Sequence, residues 1–471
     1  MSFGNFITPA PEIRALLNLG CLFDIPTGRY LVGKDGEHIL NGGLAPATGV
    51  GGRGNTFKST LAHFFALRSI DRYSKVKGIV YDTEPPSVSN VRFMQLARWM
   101  PNIGGLDLQE MHRILFSDST VMLGNEWFTG MKGYADNKVT KDNIKANTLT
   151  LPFIDKNGKN YNALVPTISE VDSFSMMPIE SVEKIYSAND IGDSGMNVEA
   201  MKASAAKNQM LMQLPNLTGG RGIYMILTAH AGDEIKMDQY APSTKKLHFL
   251  KNGLKFKQVP EKFTFLTNNL WITLNASVML NKSSKTPEFP RSPEDNMEGD
   301  PDLQVVTVMN LRAKTGPTGM PFEIIVSQNE GVLVGLSEFW YCKTFGGYGL
   351  GGHDRAYYVE LVPEITMQRT TVRSKISSSP KLQRALEITS EMCQMNNLWH
   401  DMEEGLLCTP KELYEDLKAK GYDWEILLAT RGYWNYLEDE NPIPFLSTMD
   451  LLKMRKGEYH PKWYKGELKK D

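Results

Sequence analysis

Hydrophobic positions along this chain follow two rhythms, and their order predicts the core. Between Lys58 and Tyr73, the residues Leu61, Phe64, Phe65 and Leu67 recur at helical spacing and give the segment an apolar face. Short apolar runs come after it: Gly78–Tyr81, Ala163–Val171, Ile223–Leu227, Leu270–Leu274 and Val305–Met309. Runs this short, alternating with helical stretches, point to strands of a parallel sheet buried on both faces. The predicted fold class is α/β, a mainly parallel central sheet flanked by helices.

The interval between Glu84 and Asp172 is longer than one helix and its loops require. Within it Thr148-Leu149-Thr150-Leu151 alternates, and Asn157-Gly158 suits a tight hairpin turn. Residues near 120–165 therefore read as an insertion carrying a hairpin. Pro9, Pro11 and Pro26 break residues 1–35 into a short N-terminal arm around an apolar run from Ile13 to Phe23. Past residue 335 the pattern changes. Residues 338–365 read as strands and turns, 380–398 and 410–429 as helices, and the Lys-rich last fifteen residues as frayed. The predicted division is 1–35, a core over 36–335, and a C-terminal domain over 336–471 whose role no motif explains.

Composition removes several classes of function. In 471 residues, 52 Lys and Arg stand against 54 Asp and Glu, a formal net charge of −2. Bulk positive charge therefore cannot hold nucleic acid, and any such contact must come from a local patch. At 41% hydrophobic and 23% charged the chain is too apolar for a disordered one. Its four Cys include no C-x-x-C pair, which favours free thiols over a disulfide framework or zinc. No leader-like start and no apolar run long enough to span a membrane is visible, so a soluble, non-exported protein is expected.

The strongest chemical signal is Gly52-Arg53-Gly54-Asn55-Thr56-Phe57-Lys58-Ser59, followed by Thr60. It fits the phosphate-binding pattern G-x-x-x-x-G-K-[ST] except that Phe57 replaces the second Gly. Such a loop aims backbone N–H groups and a helix N-terminus at phosphate oxygens. Lys58 would neutralise the β and γ phosphates of ATP and Ser59 would ligate Mg²⁺. Phe57 is tolerable there if its φ is helical rather than positive. Tyr81-Asp82-Thr83-Glu84 ends the next strand, where a carboxylate can orient water for attack on the γ-phosphate; Glu84, further out, is the better candidate. Asp172 ends another run and suits a second, Mg²⁺-side carboxylate. His230 ends a third and suits either a γ-phosphate sensor or a structural role. Gly347-Tyr348-Gly349-Leu350-Gly351-Gly352 matches G-x-G-x-x-G formally but lacks a βα context and reads as a turn.

These residues resemble the RecA family of recombinases, and the Phe-Lys-Ser loop with Tyr81-Asp82-Thr83-Glu84 resembles its phage UvsX-like branch. Ile191-Gly192-Asp193-Ser194-Gly195-Met196 resembles the first DNA-binding loop of RecA. Leu311-Arg312-Ala313-Lys314, before Pro321-Phe322-Glu323-Ile324, resembles the paired basic residues that reach the ATP of a neighbouring protomer. The resemblance spans roughly residues 25–335. It implies a RecA-like core, a polymerisation role for the N-terminal arm, and catalytic roles for Lys58, Glu84, His230, Arg312 and Lys314. Gly192, Asp193, Ser194 and Met196 would bind DNA. So would Lys245, Lys246, Lys251, Lys255 and Lys257 in a second loop over 231–262, where Phe249 and Phe256 interleave the lysines. The implied partners are single- and double-stranded DNA, further copies in a helical filament, and loader or single-strand-binding proteins, with no membrane; the implied place is the cytoplasm of a phage-infected bacterium. A hexameric helicase with the same core and a non-catalytic assembly protein stay open as alternatives.

Overall fold

The computed structural model describes residues 15–466, apart from 28, 85–87, 191–197, 235–246, 252, 315, 354 and 440. Strands β1 (Tyr30–Val32) and β2 (His38–Leu40) form a small hairpin. Then β3 (Ala47–Gly52) leads into α1 (Lys58–Arg72), and β4 (Lys77–Asp82) into α2 (Val88–Ala97). Next come β5 (Ile114–Asp118), α3 (Gly124–Lys138), and a second hairpin of β6 (Thr148–Ile154) and β7 (Asn160–Leu164). The chain continues through β8 (Thr167–Asp172), α4 (Glu180–Ala188), α5 (Glu199–Thr218), β9 (Ile223–Asp233), β10 (Leu254–Phe256) and α6 (Phe263–Leu266). After these lie β11 (Asn269–Val278), β12 (Leu303–Ala313), β13 (Pro321–Ser327) and β14 (Gly331–Val332). The C-terminal part holds α7 (Val334–Thr344), β15 (Leu350–His353), β16 (Ala356–Val359), β17 (Val362–Met367), α8 (Val372–Ser378), α9 (Pro380–Leu398), α10 (Pro410–Ala419), α11 (Trp424–Leu428) and α12 (Thr448–Lys456).

The central sheet runs β14-β13-β12-β11-β3-β9-β8-β4-β5, with β10 paired to β9. From β11 to β5 every pairing is parallel; β12, β13 and β14 extend the sheet antiparallel. The expected mainly parallel α/β core is present. Its order decides where chemistry collects. The chain leaves β3, lays down β4 and β5 at a distance, then fills the gap with β8 and β9. The C-terminal ends of β3, β9, β8 and β4 are thereby brought side by side, the position where open α/β sheets hold ligands.

The middle strand is an unexpected one on propensity. β3 reads Ala-Thr-Gly-Val-Gly-Gly, yet it is buried throughout. Glycine weakens a strand but admits close neighbours. A Cβ on Gly51 would lie 2.1 Å from the Phe256 ring, and one on Gly52 2.1 Å from the Thr273 hydroxyl. Pairing to β9 and β11 on both sides holds the strand.

Several sequence expectations change in detail. The run Ala163–Val171 is two strands, β7 and β8, divided at Val165-Pro166. The inserted hairpin is present, but its turn is the five-residue loop 155–159. There the Asp155 carboxylate accepts the N–H groups of Asn157 and Lys159, and Gly158 has φ 76°. The stretch 338–365 begins inside α7. Instead of fraying, Tyr464 near the end is buried and its hydroxyl accepts the Asp423 N–H.

Residues 15–27, assigned to the N-terminal arm, pack inside the chain itself. Phe23 lies 5.0 Å from Phe65, 5.1 Å from Trp271 and 5.6 Å from Phe322, ring centre to ring centre. Residues 1–14 lie outside the described residues. The C-terminal part also returns to the core, where Trp434 packs 4.9 Å from Tyr73 and 5.2 Å from Phe153 of the inserted hairpin.

Candidate nucleotide site

The loop between β3 and α1 carries two residues in the left-handed region, Asn55 (φ 60°) and Phe57 (φ 62°). Phe57 thus has a positive φ, whereas its acceptability was made to depend on a helical one, so that condition is not met. The ring is half-buried against the core, and this packing offsets backbone strain a glycine would avoid. Left-handed residues in such a loop are what an anion-binding nest of successive N–H groups uses. Thr56 braces the loop: its hydroxyl donates to the Arg53 carbonyl at 2.8 Å and meets the Thr273 hydroxyl at 2.7 Å.

Lys58 opens α1 and turns inward. Its Nζ lies 3.3 Å from the Asp172 carboxylate and 3.5 Å from the Ser59 hydroxyl, with Lys58 and Asp172 both buried. Thr228 on β9 donates to the same Asp172 oxygen at 2.5 Å. Burial would raise the Asp172 carboxyl. Lys58, His63 and the hydroxyls of Ser59 and Thr228 outweigh burial and hold it below its usual range. Ser59 and Asp172 therefore present adjacent hard oxygen donors, the chemistry a magnesium ion takes beside phosphates. The Asp172–Ser173 peptide is cis, and its two ends are stitched to β4: Thr83 N–H donates to the Asp172 carbonyl and Ser173 N–H to the Thr83 hydroxyl.

Glu84 and His230 face each other across this crevice, with 3.4 Å between Oε1 and Nε2. Burial, with Lys58 second, lowers the His230 pKa, while Glu84 and Asp172 act in the opposite direction. His230 stands in register with Gly52 at the mouth of the loop. Asp82 is not free for chemistry: it is buried and accepts the Glu84 N–H at 2.9 Å.

Arg312 and Lys314 are not at this crevice. Because β12 runs antiparallel to β11, Ala313 pairs with Asn269, which pairs with Thr48 at the start of β3. Lys314 is therefore some five residues, about 16 Å along the strand, from the level of Gly52. Arg312 donates to the Thr264 carbonyl at 3.4 Å. Neither side chain reaches its own phosphate loop.

Of the DNA-binding candidates, Gly192, Asp193, Ser194, Met196, Lys245 and Lys246 lie outside the described residues. Lys251 and Lys257 are exposed and Lys255 half-buried, on or beside β10, which pairs back onto the last turn of β9. Phe256 is unsuited to base stacking: it is 9% exposed and its ring packs on Gly51 and, at 5.6 Å, on Phe263. Phe249 remains 39% exposed.

Sequence reading missed several partners. His63 on α1 bonds Glu170 on β8 at 2.6 Å, both buried behind Asp172. Arg53 in the loop pairs with Asp233 at 2.5 Å. Glu170 carried a signal, since it is the same-face neighbour two residues before Asp172; His63 and Asp233 carried none.

No family model matches the chain, and no curated protein matches it. Among solved structures the chain is similar to a crystal structure of the RadB recombinase. The identity is 16% over 62% of this chain and 93% of that one, with a TM-score of 0.33. A likeness of that size leaves the site to be read from its own strand ends.

Proposed function

We propose that this chain is an ATP-dependent homologous recombinase of the RecA type, which assembles on single-stranded DNA as a helical filament and hydrolyses ATP between protomers. One observation carries the reading. The loop Gly52–Thr60, Asp172, Glu84 and His230 converge on one edge of the sheet, while Arg312 and Lys314 stand at the opposite edge. In this reading the basic pair, too far to serve its own loop, would reach a phosphate held by another copy, and the complete site would be an intersubunit one.

In this reading the loop N–H groups and Lys58 hold the phosphates, and Arg53, Asn55 and Thr56 shape the cradle. Ser59 and Asp172 would hold Mg²⁺, which when bound supplies positive charge against the phosphate oxygens. Glu84 orients the attacking water, and His230, bonded to it, reports the γ-phosphate to the segment that follows β9. Lys251, Lys255 and Lys257 contact the DNA backbone, with residues 191–197 and 235–246 as further contacts. Near-neutral overall charge suits a binder that uses a local patch.

Magnesium-dependent ATP turnover, with and without single-stranded DNA, tests the reading. Turnover stimulated by DNA is expected, and electron microscopy with an ATP analogue should show helical filaments. Closed rings would favour a helicase of the same core. Absence of turnover would favour a non-catalytic assembly protein.

A further inference from the structure

Among the described residues, Lys207 is a buried cation with no acid paired to it. It projects from α5, 3% exposed, and its Nζ donates to the Ser175 carbonyl at 2.6 Å and to the Gln258 carbonyl at 3.1 Å. The Phe174 ring lies 5.8 Å away. Burial alone pushes its pKa down, to about 8. An unpaired buried ammonium is a costly way to fill space that a methionine would fill, so the two carbonyls it fastens need an explanation.

Those carbonyls belong to a closed knot. The Ser175 hydroxyl accepts the His230 N–H at 2.9 Å and donates to the Lys257 carbonyl at 3.1 Å; the Lys257 N–H returns to the His230 carbonyl at 2.8 Å. Ser175 lies three residues beyond Asp172, and His230 faces both Gly52 and Glu84. Lys257 and Gln258 end the basic segment. α5 itself begins just after residues 191–197. Thus the turn after β8, the end of β9, the exit of β10 and α5 meet at two side chains, Lys207 and Ser175.

We propose that Lys207 and Ser175 are positioning residues that fix the basic segment 251–257 against the strand ends facing the phosphate loop, so that gripping a polynucleotide and holding a triphosphate become one coupled event. The inference rests on the function proposed above. A displacement of the His230 backbone is handed to Lys257 because one hydroxyl holds both, and Lys207 keeps that hydroxyl's own backbone in place. Neither residue touches nucleotide or DNA.

The test uses the full-length chain and a thermodynamic cycle. Affinity for a non-hydrolysable ATP analogue is measured with and without oligo-dT, and affinity for oligo-dT with and without the analogue. Linkage requires the two ratios to be equal. Lys207→Met should leave analogue affinity without DNA within about twofold and reduce the shared coupling factor at least about fivefold. Lys207→Arg should restore most of it. Ser175→Ala should lower the factor as well, and it stands in should Lys207→Met fail to fold. A merely structural role would weaken each affinity and leave the ratio alone. Wild-type coupling in both variants overturns the inference while sparing the proposed function. A wild-type chain that neither turns over ATP nor binds oligo-dT overturns both.

Discussion

Phe57→Gly probes the least orthodox feature of the phosphate loop. Phe57 sits at φ 62° and ψ 26°, where an L-residue costs ~1–2 kcal/mol over the right-handed region. Glycine removes that cost. It also removes a half-buried ring, about 1–1.5 kcal/mol of burial, and adds ~0.5–1 kcal/mol of unfolded-chain entropy. The terms nearly cancel, so Phe57→Gly should shift stability by about 1 kcal/mol or less. Phe57→Val loses part of that burial and keeps the strain, made worse by branching at Cβ, and should cost about 1–2 kcal/mol. Urea unfolding with a shared m-value measures both. Because the N–H cradle survives in the glycine variant, its affinity for ADP should stay within about threefold of wild type, while the valine variant weakens. If glycine costs more than about 3 kcal/mol, or valine proves no worse than glycine, the left-handed reading of the loop is wrong.

Glu84→Gln should keep ATP binding and filament assembly while lowering turnover by roughly 10²–10⁴; loss of ATP binding would refute the water-orienting role. Lys58→Met and Arg312→Ala should each be inactive alone, whereas an equal mixture should recover about a quarter of the interfaces, since random assembly pairs an intact loop with an intact Arg312 that often. No recovery on mixing would place Arg312 outside the reaction. Burial first, and then Glu387 beside it, push Glu391 up to about 8 from 4.5. A carboxyl raised on folding stabilises fully below its unfolded value, and that contribution is lost as pH rises through the folded one. Stability of Glu391→Gln should therefore fall less than that of wild type between pH 4.5 and 8; a steeper fall in the variant would contradict the assignment.

Local rules made the sheet and its loop legible. α1 was readable from its apolar spacing, and the helix predicted over 380–398 is α9, whose N-cap Ser379 accepts the Leu382 N–H. Glu84, Asp172 and His230 were readable because a polar residue closing an apolar run is conspicuous; Asp172 ends β8, Glu84 lies just past β4, and β9 continues beyond His230 to Asp233, and the sheet order then set them beside Gly52–Ser59. What stayed hidden depends on chain crossings rather than on local pattern. The helical start at 334–344 was lost because α7 is apolar on nearly every side, buried between β13 and α9, and so shows no periodicity. Phe256 looked like a stacking residue among lysines; only the bare backbone of Gly51, brought against it by the pairing of β9 with both β3 and β10, makes it a core residue.

The same crossings explain what the distribution of charge along the chain did not show. Lys251 and Lys257 are exposed, as a basic patch requires, whereas Lys207 and Lys138, which no charge run singled out, are buried, as Lys58 is. Lys138 donates to the Val165 and Gly222 carbonyls and to the Thr167 hydroxyl, at the point where the inserted hairpin rejoins the sheet. Lys207 does the equivalent where the basic segment rejoins it. Each cation fastens carbonyls at the root of an excursion from the core instead of meeting an acid. A long flexible stem with three donors is suited to that task, because a carbonyl has two lone pairs and can accept an ammonium beside a backbone N–H, as Gly222 does with Lys138 and the Thr167 N–H. In the proposed function the placement of the basic segment would thus depend on a buried amine whose sequence context is unremarkable, and it is there that substitutions far from the phosphate loop should change its behaviour.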